Sequence, residues 1–169
     1  IAMNNSRKSI YIHIVKRGFI LVFLGFICGG LLQFNFAETR YPHVLGRIGL
    51  AWMFAAIIYL NTKRNFRIVW FCALLAGYWL LMLLFPAHDL GSTDIYSMEG
   101  NLTSYIDRHI LPGRLYCGIH DPEGLLSTLP AIGTALLGMF TGEFVMSKYL
   151  HDKPLRKVLY LASAAVILM

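Results

Sequence analysis

The sequence predicts an all-α fold, a polytopic transmembrane helix bundle with four full spans and part of a fifth, and a long outer loop that holds a short interfacial helix. Composition is the first ground: 57% of the 169 residues are hydrophobic and only 14% are charged, where a soluble domain carries about 25% charged residues. The second is distribution, because the apolar residues gather in uncharged runs close to the ~20 residues that cross a hydrocarbon core. The third is that the charges behind the net +6 sit between those runs. Disorder and a soluble globule are both disfavoured, and nucleic acid is not expected as a partner; the lipid bilayer is.

Each element follows in order. Residues 18–37 contain no charge, and Phe19 to Leu24 is as apolar as lipid tails, which defines the first span. The second, residues 43–60, is interrupted only by Arg47, and the third, residues 68–85, is rich in Leu and Trp and stopped by Pro86. The outer loop occupies residues 86–124. Within it Asn101 can cap a short helix whose Leu102, Tyr105, Ile106, His109 and Ile110 fall at helical spacing before Pro112-Gly113. A fourth span covers residues 125–145 with Pro130 in its early turns, and an incomplete fifth covers residues 155–169. The chain opens Ile1-Ala2-Met3 and ends in an apolar stretch, so a single membrane domain, residues 1–169, belonging to a longer protein is expected.

Lys and Arg are retained on the cytoplasmic side. Arg7, Lys8, Lys16 and Arg17 precede the first span, Lys63, Arg64 and Arg67 fill the turn between the second and third, and Lys148, Lys153, Arg156 and Lys157 separate the fourth from the fifth. The alternate segments face outward: Glu38 to Tyr41, and the loop with Asp89, Asp94, Glu99, Asp107, Asp121 and Glu123 against Arg108 and Arg114. Cys28 and Cys72 lie in apolar runs and Cys117 in the loop, which is no disulfide framework. Small residues at Ala131, Ala135, Gly138 and Gly142, and at Gly25 and Gly29, let helices approach closely, within one chain or in a homo-oligomer.

Several polar residues are candidates for chemistry. Arg47 lies within a span, where a guanidinium is costly unless it meets a carboxylate, a polar ligand or the interface. Glu143 at the other end of the fourth span is expected to snorkel or to pair with Lys148. The run His120-Asp121-Pro122-Glu123-Gly124 reads structurally as a helix start, with Asp121 as N-cap, Pro122 at the first position and Glu123 complementing the dipole. Functionally, the same residues set two carboxylates and an imidazole at the outer mouth of the bundle, where they can orient an amine or sugar hydroxyls and accept a proton. His88, Asp89, His109 and His120 lack the spacing of a metal-ligand motif, so no metal is expected. There is no phosphate-cradling glycine loop and no Gly-x-Ser-x-Gly elbow. The basic loops fit either topology alone or attraction of a cofactor's phosphates.

Three ordered elements also carry a resemblance: Gly100 to Arg108 with its Tyr-Ile-Asp-Arg, Leu115-Tyr116, and Asp121 to Thr128 with its Asp-Pro-Glu-Gly. Together they resemble the heparan-alpha-glucosaminide N-acetyltransferase family and its bacterial relatives, over about Arg17 to Gly142. Val44-Leu45-Gly46-Arg47-Ile48 is similar to that family's Val-Leu-Gln-Arg-Ile, with Gly46 in place of the usual Gln. The resemblance implies an enzyme of the bacterial inner membrane that moves acetyl from cytoplasmic acetyl-CoA to the amine of an amino sugar or glycan on the outer, periplasmic side. It points to Asp107, Asp121 and Glu123 as catalytic candidates and to Arg47, Asn101, Arg108 and His120 as substrate-binding ones. The family's catalytic histidine belongs to a segment upstream of the matched region, so this chain by itself is expected to be inactive. Two rival readings are a transporter or flippase for a sugar-containing substrate and a scaffold whose polar motifs merely cap helices.

Overall fold

The computed structural model describes residues 2–87, 89–91 and 94–146. The expected fifth span, residues 155–169, the basic group Lys148 to Lys157, and His88 lie outside the described residues. Among the described residues five helices follow in order: α1 (Ala2–Cys28), α2 (Val44–Asn61), α3 (Arg64–Leu84), α4 (Leu102–Ile110) and α5 (Thr128–Met146), with a 3-10 turn at Leu31–Gln33. Among the described residues there is no β-strand, and a single backbone bridge joins Arg40 to Gly113. Four helical segments among the described residues are long and apolar enough to cross a membrane: Arg7–Cys28 within α1, and α2, α3 and α5.

The first span differs most from its expected bounds of residues 18–37. Helix α1 ends at Cys28 because Gly29 and Gly30 follow and Gly30 turns left-handed, with φ 102°, a conformation that costs glycine little. At its other end the helix continues through Lys16 and Arg17, both exposed; the Arg17 guanidinium sits 5.1 Å from the centre of the Trp52 ring. Helix α5 starts at Thr128 because the preceding residues form turns. In them Gly124 N–H donates to the Asp121 carbonyl (3.1 Å) and the Ser127 hydroxyl to the Pro122 carbonyl (2.9 Å). Pro130 then falls in the first helical turn, where the N–H it lacks has no intrahelical partner to lose.

Helix α2 is central, packed on α1 to one side and α5 to the other, while α3 packs chiefly on α5. Glycines set the first interface: a Cβ on Gly25 would lie 3.0 Å from the Gly46 nitrogen, and one on Gly49 would lie 2.7 Å from Leu21 Cβ. The second is built from Ala51 and Ala55 against Ile132 and Leu136, with Ala131 and Ala135 beside them. Gly138 and Gly142, expected on the same small-residue stripe, face open space. Glu143 accepts hydrogen bonds from Tyr59 and from Arg67 (2.6 Å), bringing the ends of α2 and α5 and the start of α3 to one basic end with Lys63 and Arg64. Asp89, Asp107, Asp121 and Glu123 lie at the opposite, loop end.

Candidate functional site

The loop end is organised around Arg40. Its backbone N–H donates to the Gly29 carbonyl (2.9 Å), while Arg114 N–H donates to the Thr39 carbonyl (3.1 Å). Glycine permits both approaches, since a Cβ on Gly29 or Gly113 would stand 2.0 Å from the Arg40 oxygen or 2.2 Å from that of Thr39. So fixed, Arg40 reaches Asp121 through Nε (2.9 Å) and Nη2 (2.7 Å), also pairs with the Glu123 carboxylate, and lies over the Tyr116 ring at 4.6 Å.

Asp121 is fully buried. Besides Arg40 it accepts from the backbone N–H groups of Tyr116 (2.9 Å) and Glu123 (3.0 Å). Burial, the largest influence, pushes its carboxyl up; Arg40 and the two amides outweigh it and hold the group below the ordinary carboxylate range. The hydrogen bond from Arg40 in turn raises the pKa of the guanidinium. Asp121 therefore does not cap α5, as its position before Pro122 suggests. Its carboxylate is turned toward Arg40, which lies 81 residues away in sequence.

Asp107 on α4 is equally buried but differently served. One oxygen accepts from Leu125 N–H (3.0 Å), and Oδ2 has no hydrogen-bond partner. The carboxyl rests on Gly124, where a Cβ would fall 1.7 Å from Oδ2. Desolvation raises its pKa to about 6, helped by the charge of Asp121 and opposed by Leu125 N–H and Arg108. The other polar residues of this segment are engaged within the loop. Arg108 uses all five N–H groups, two on Asp89 (3.0 and 2.7 Å) and three on the carbonyls of Met98, Glu99 and Ile119. Asn101 caps α4 by accepting from Ser104 N–H (2.7 Å), and the Ser104 hydroxyl meets His120 Nδ1 at 2.7 Å.

Arg47 and Glu123 are placed otherwise. Arg47 donates to the carbonyls of Pro122 (3.0 Å) and Ser127 (3.3 Å), on the turn that carries Glu123. Both side chains line a cavity of about 260 Å³ walled by Val22, Phe26, Leu50 and Leu125. Both also line a second space of about 490 Å³ between α2 and α5, beside Val44, Ile48 and Trp52. Of the seven residues singled out in the sequence, these two line the cavities; Asp107 and Asp121 accept from the backbone N–H groups of the lining residues Leu125 and Glu123, while Asn101, Arg108 and His120 are engaged within the loop. Sequence reasoning missed Arg40, although a lone arginine in the outer segment Glu38 to Tyr41 was a visible signal.

The arrangement offers a carboxylate and a donor-rich guanidinium on the lining of one apolar chamber, a combination suited to a group that both donates and accepts hydrogen bonds. No three His, Cys, Asp or Glu side chains gather as metal ligands among the described residues. No family model, curated protein or solved structure matches the chain.

Proposed function

We propose that the chain is part of a transmembrane acyltransferase that carries acetyl from cytoplasmic acetyl-CoA to the amine of an amino sugar or glycan on the outer side of a bacterial inner membrane. The observation that carries this reading is that Arg47 and Glu123 both line each of two cavities at the loop end. An ammonium must lose a proton before its nitrogen can attack an acyl carbon, and Glu123, the carboxylate on the lining of both cavities, would take it. Arg47 would orient the sugar oxygens, while Asp121 and Arg40 fix the turn on which Glu123 stands. Asp107 and Asp121 are positioning residues in this scheme, because neither lines either of these two cavities. At the opposite end, Lys63 and Arg64 are exposed, where they would meet the phosphates of the acyl donor, while Arg67 is held by Glu143 and the Thr62 carbonyl.

The test uses the full-length protein in liposomes, with radiolabelled acetyl-CoA on one side and glucosamine-terminated acceptors on the other. Transfer of label, abolished by Glu123→Gln and reduced at least tenfold by Arg47→Ala in folded protein, is the expected result. Absence of transfer to every amino sugar by folded protein would overturn the reading, and sugar uptake without acetylation would put a transporter in its place.

A further inference from the structure

The two cavities differ from a vestibule built for a water-soluble saccharide. In the smaller, Val22, Phe26, Leu50 and Leu125 form the body, and the charged groups Arg47 and Glu123 are shared with the larger space beyond. The larger lies within the ~300–1,000 Å³ typical of ligand pockets. Val44 and Ile48 on its rim are 46% and 53% exposed, on the surface that a span turns toward lipid. Arg47 spends two N–H groups on carbonyls and keeps three, while Glu123 engages Arg40 through one carboxylate oxygen and keeps the other. A lone phosphate would be repelled by that second oxygen, whereas a sugar, which donates and accepts through every hydroxyl, satisfies both.

We infer that this site takes a glycolipid: a single sugar head between Arg47 and Glu123 with its alkyl chain in the apolar chamber, admitted sideways from the bilayer between α2 and α5. The inference rests on the proposed function only for the amino group on that sugar. It names a membrane-borne acceptor where the resemblance names a glycan.

Binding to the full chain in lipid nanodiscs, with no acyl donor present, tests it. The probes are free glucosamine, hexyl and dodecyl glucosaminide, dodecyl glucoside and dodecylphosphocholine, each competing with a photoreactive dodecyl glucosaminide. Affinity should rise at least tenfold from free sugar to dodecyl glucosaminide, since each buried methylene contributes to transfer from water. Dodecylphosphocholine should compete at least tenfold more weakly. Leu125→Trp and Thr134→Trp, on exposed positions that line one cavity each, should weaken the dodecyl probes and leave folding intact. Arg47→Ala should remove the preference for the sugar head. Equal affinity for free and alkylated sugar, or equal competition by dodecylphosphocholine, would overturn the inference. Equal binding of dodecyl glucoside and glucosaminide would keep the glycolipid site and count against the amine-acetylation reading alone.

Discussion

Arg40 and Asp121 illustrate how much one long-range pair can hold. Removing one partner of a buried ion pair strands the other, at a cost of about 3–5 kcal/mol. Arg40→Ala and Asp121→Asn should each destabilise the chain by that order, read as a lowered unfolding midpoint in detergent micelles. The double variant should lose much less than the sum, because neither charge is then left alone; strict additivity would exclude the coupling. Asp107 predicts a pH effect of a definite sign. Its folded pKa of about 6 lies above the ordinary 3.8, so the folded state binds the proton more tightly and stability falls as pH rises from about 4 to 6. The difference corresponds to at most about 3 kcal/mol. Lowering the pH from 7 to 5 should raise the wild-type midpoint and leave that of Asp107→Asn flat. Asp121 acts oppositely: its contribution is complete above 3.8 and is lost as the pH falls through its lower folded value.

Among the elements, the α1–α2 contact is where added bulk matters. Gly49→Ala should cost about 1–3 kcal/mol, since its Cβ would stand 2.9 Å from the Gly18 carbonyl oxygen as well as against Leu21. Gly138→Ala and Gly142→Ala on α5 meet open space and should be neutral or stabilising by up to ~1 kcal/mol from helix propensity. Thermal melts of the three variants in one detergent decide the matter, and a costly Gly138→Ala would reassign that face to a helix contact. The four long apolar helices were legible because uncharged length is a property of consecutive residues, and the Asn101 cap was legible because the N–H that donates to its side chain lies three residues ahead. The end of α1 was not, because an uncharged run conceals the Gly29-Gly30 break. Nor was the part played by Asp121, whose local capping pattern points to α5 while its partner, Arg40, stands far upstream. Arg47 was flagged by its cost in a span, and its carbonyl partners on the turn after Pro122 emerge only from the packing of α2 beside α5.

For the molecule as a whole, the segregation of charge predicts an orientation. With Cys28→Ser and Cys72→Ser in place, a membrane-impermeant maleimide should label exposed Cys117 from outside intact cells. Asn65→Cys, placed in the same background with Cys117→Ser, should label only after permeabilisation. The reverse pattern would invert the topology and move the loop end to the cytoplasm. The central place of α2 also orders the chain's assembly in time. Its contacts with α1 link neighbouring segments and can close as soon as that hairpin is made, whereas its other face waits for α5, which emerges after α3 and the whole loop. Since α3 leans on α5 far more than on α2, it must linger beside the hairpin without its main neighbour while the loop is synthesised. Release of a nascent chain at about residue 127 should therefore yield a protease-resistant α1–α2 pair and a labile α3, and the Arg40 clasp should be among the last contacts to lock.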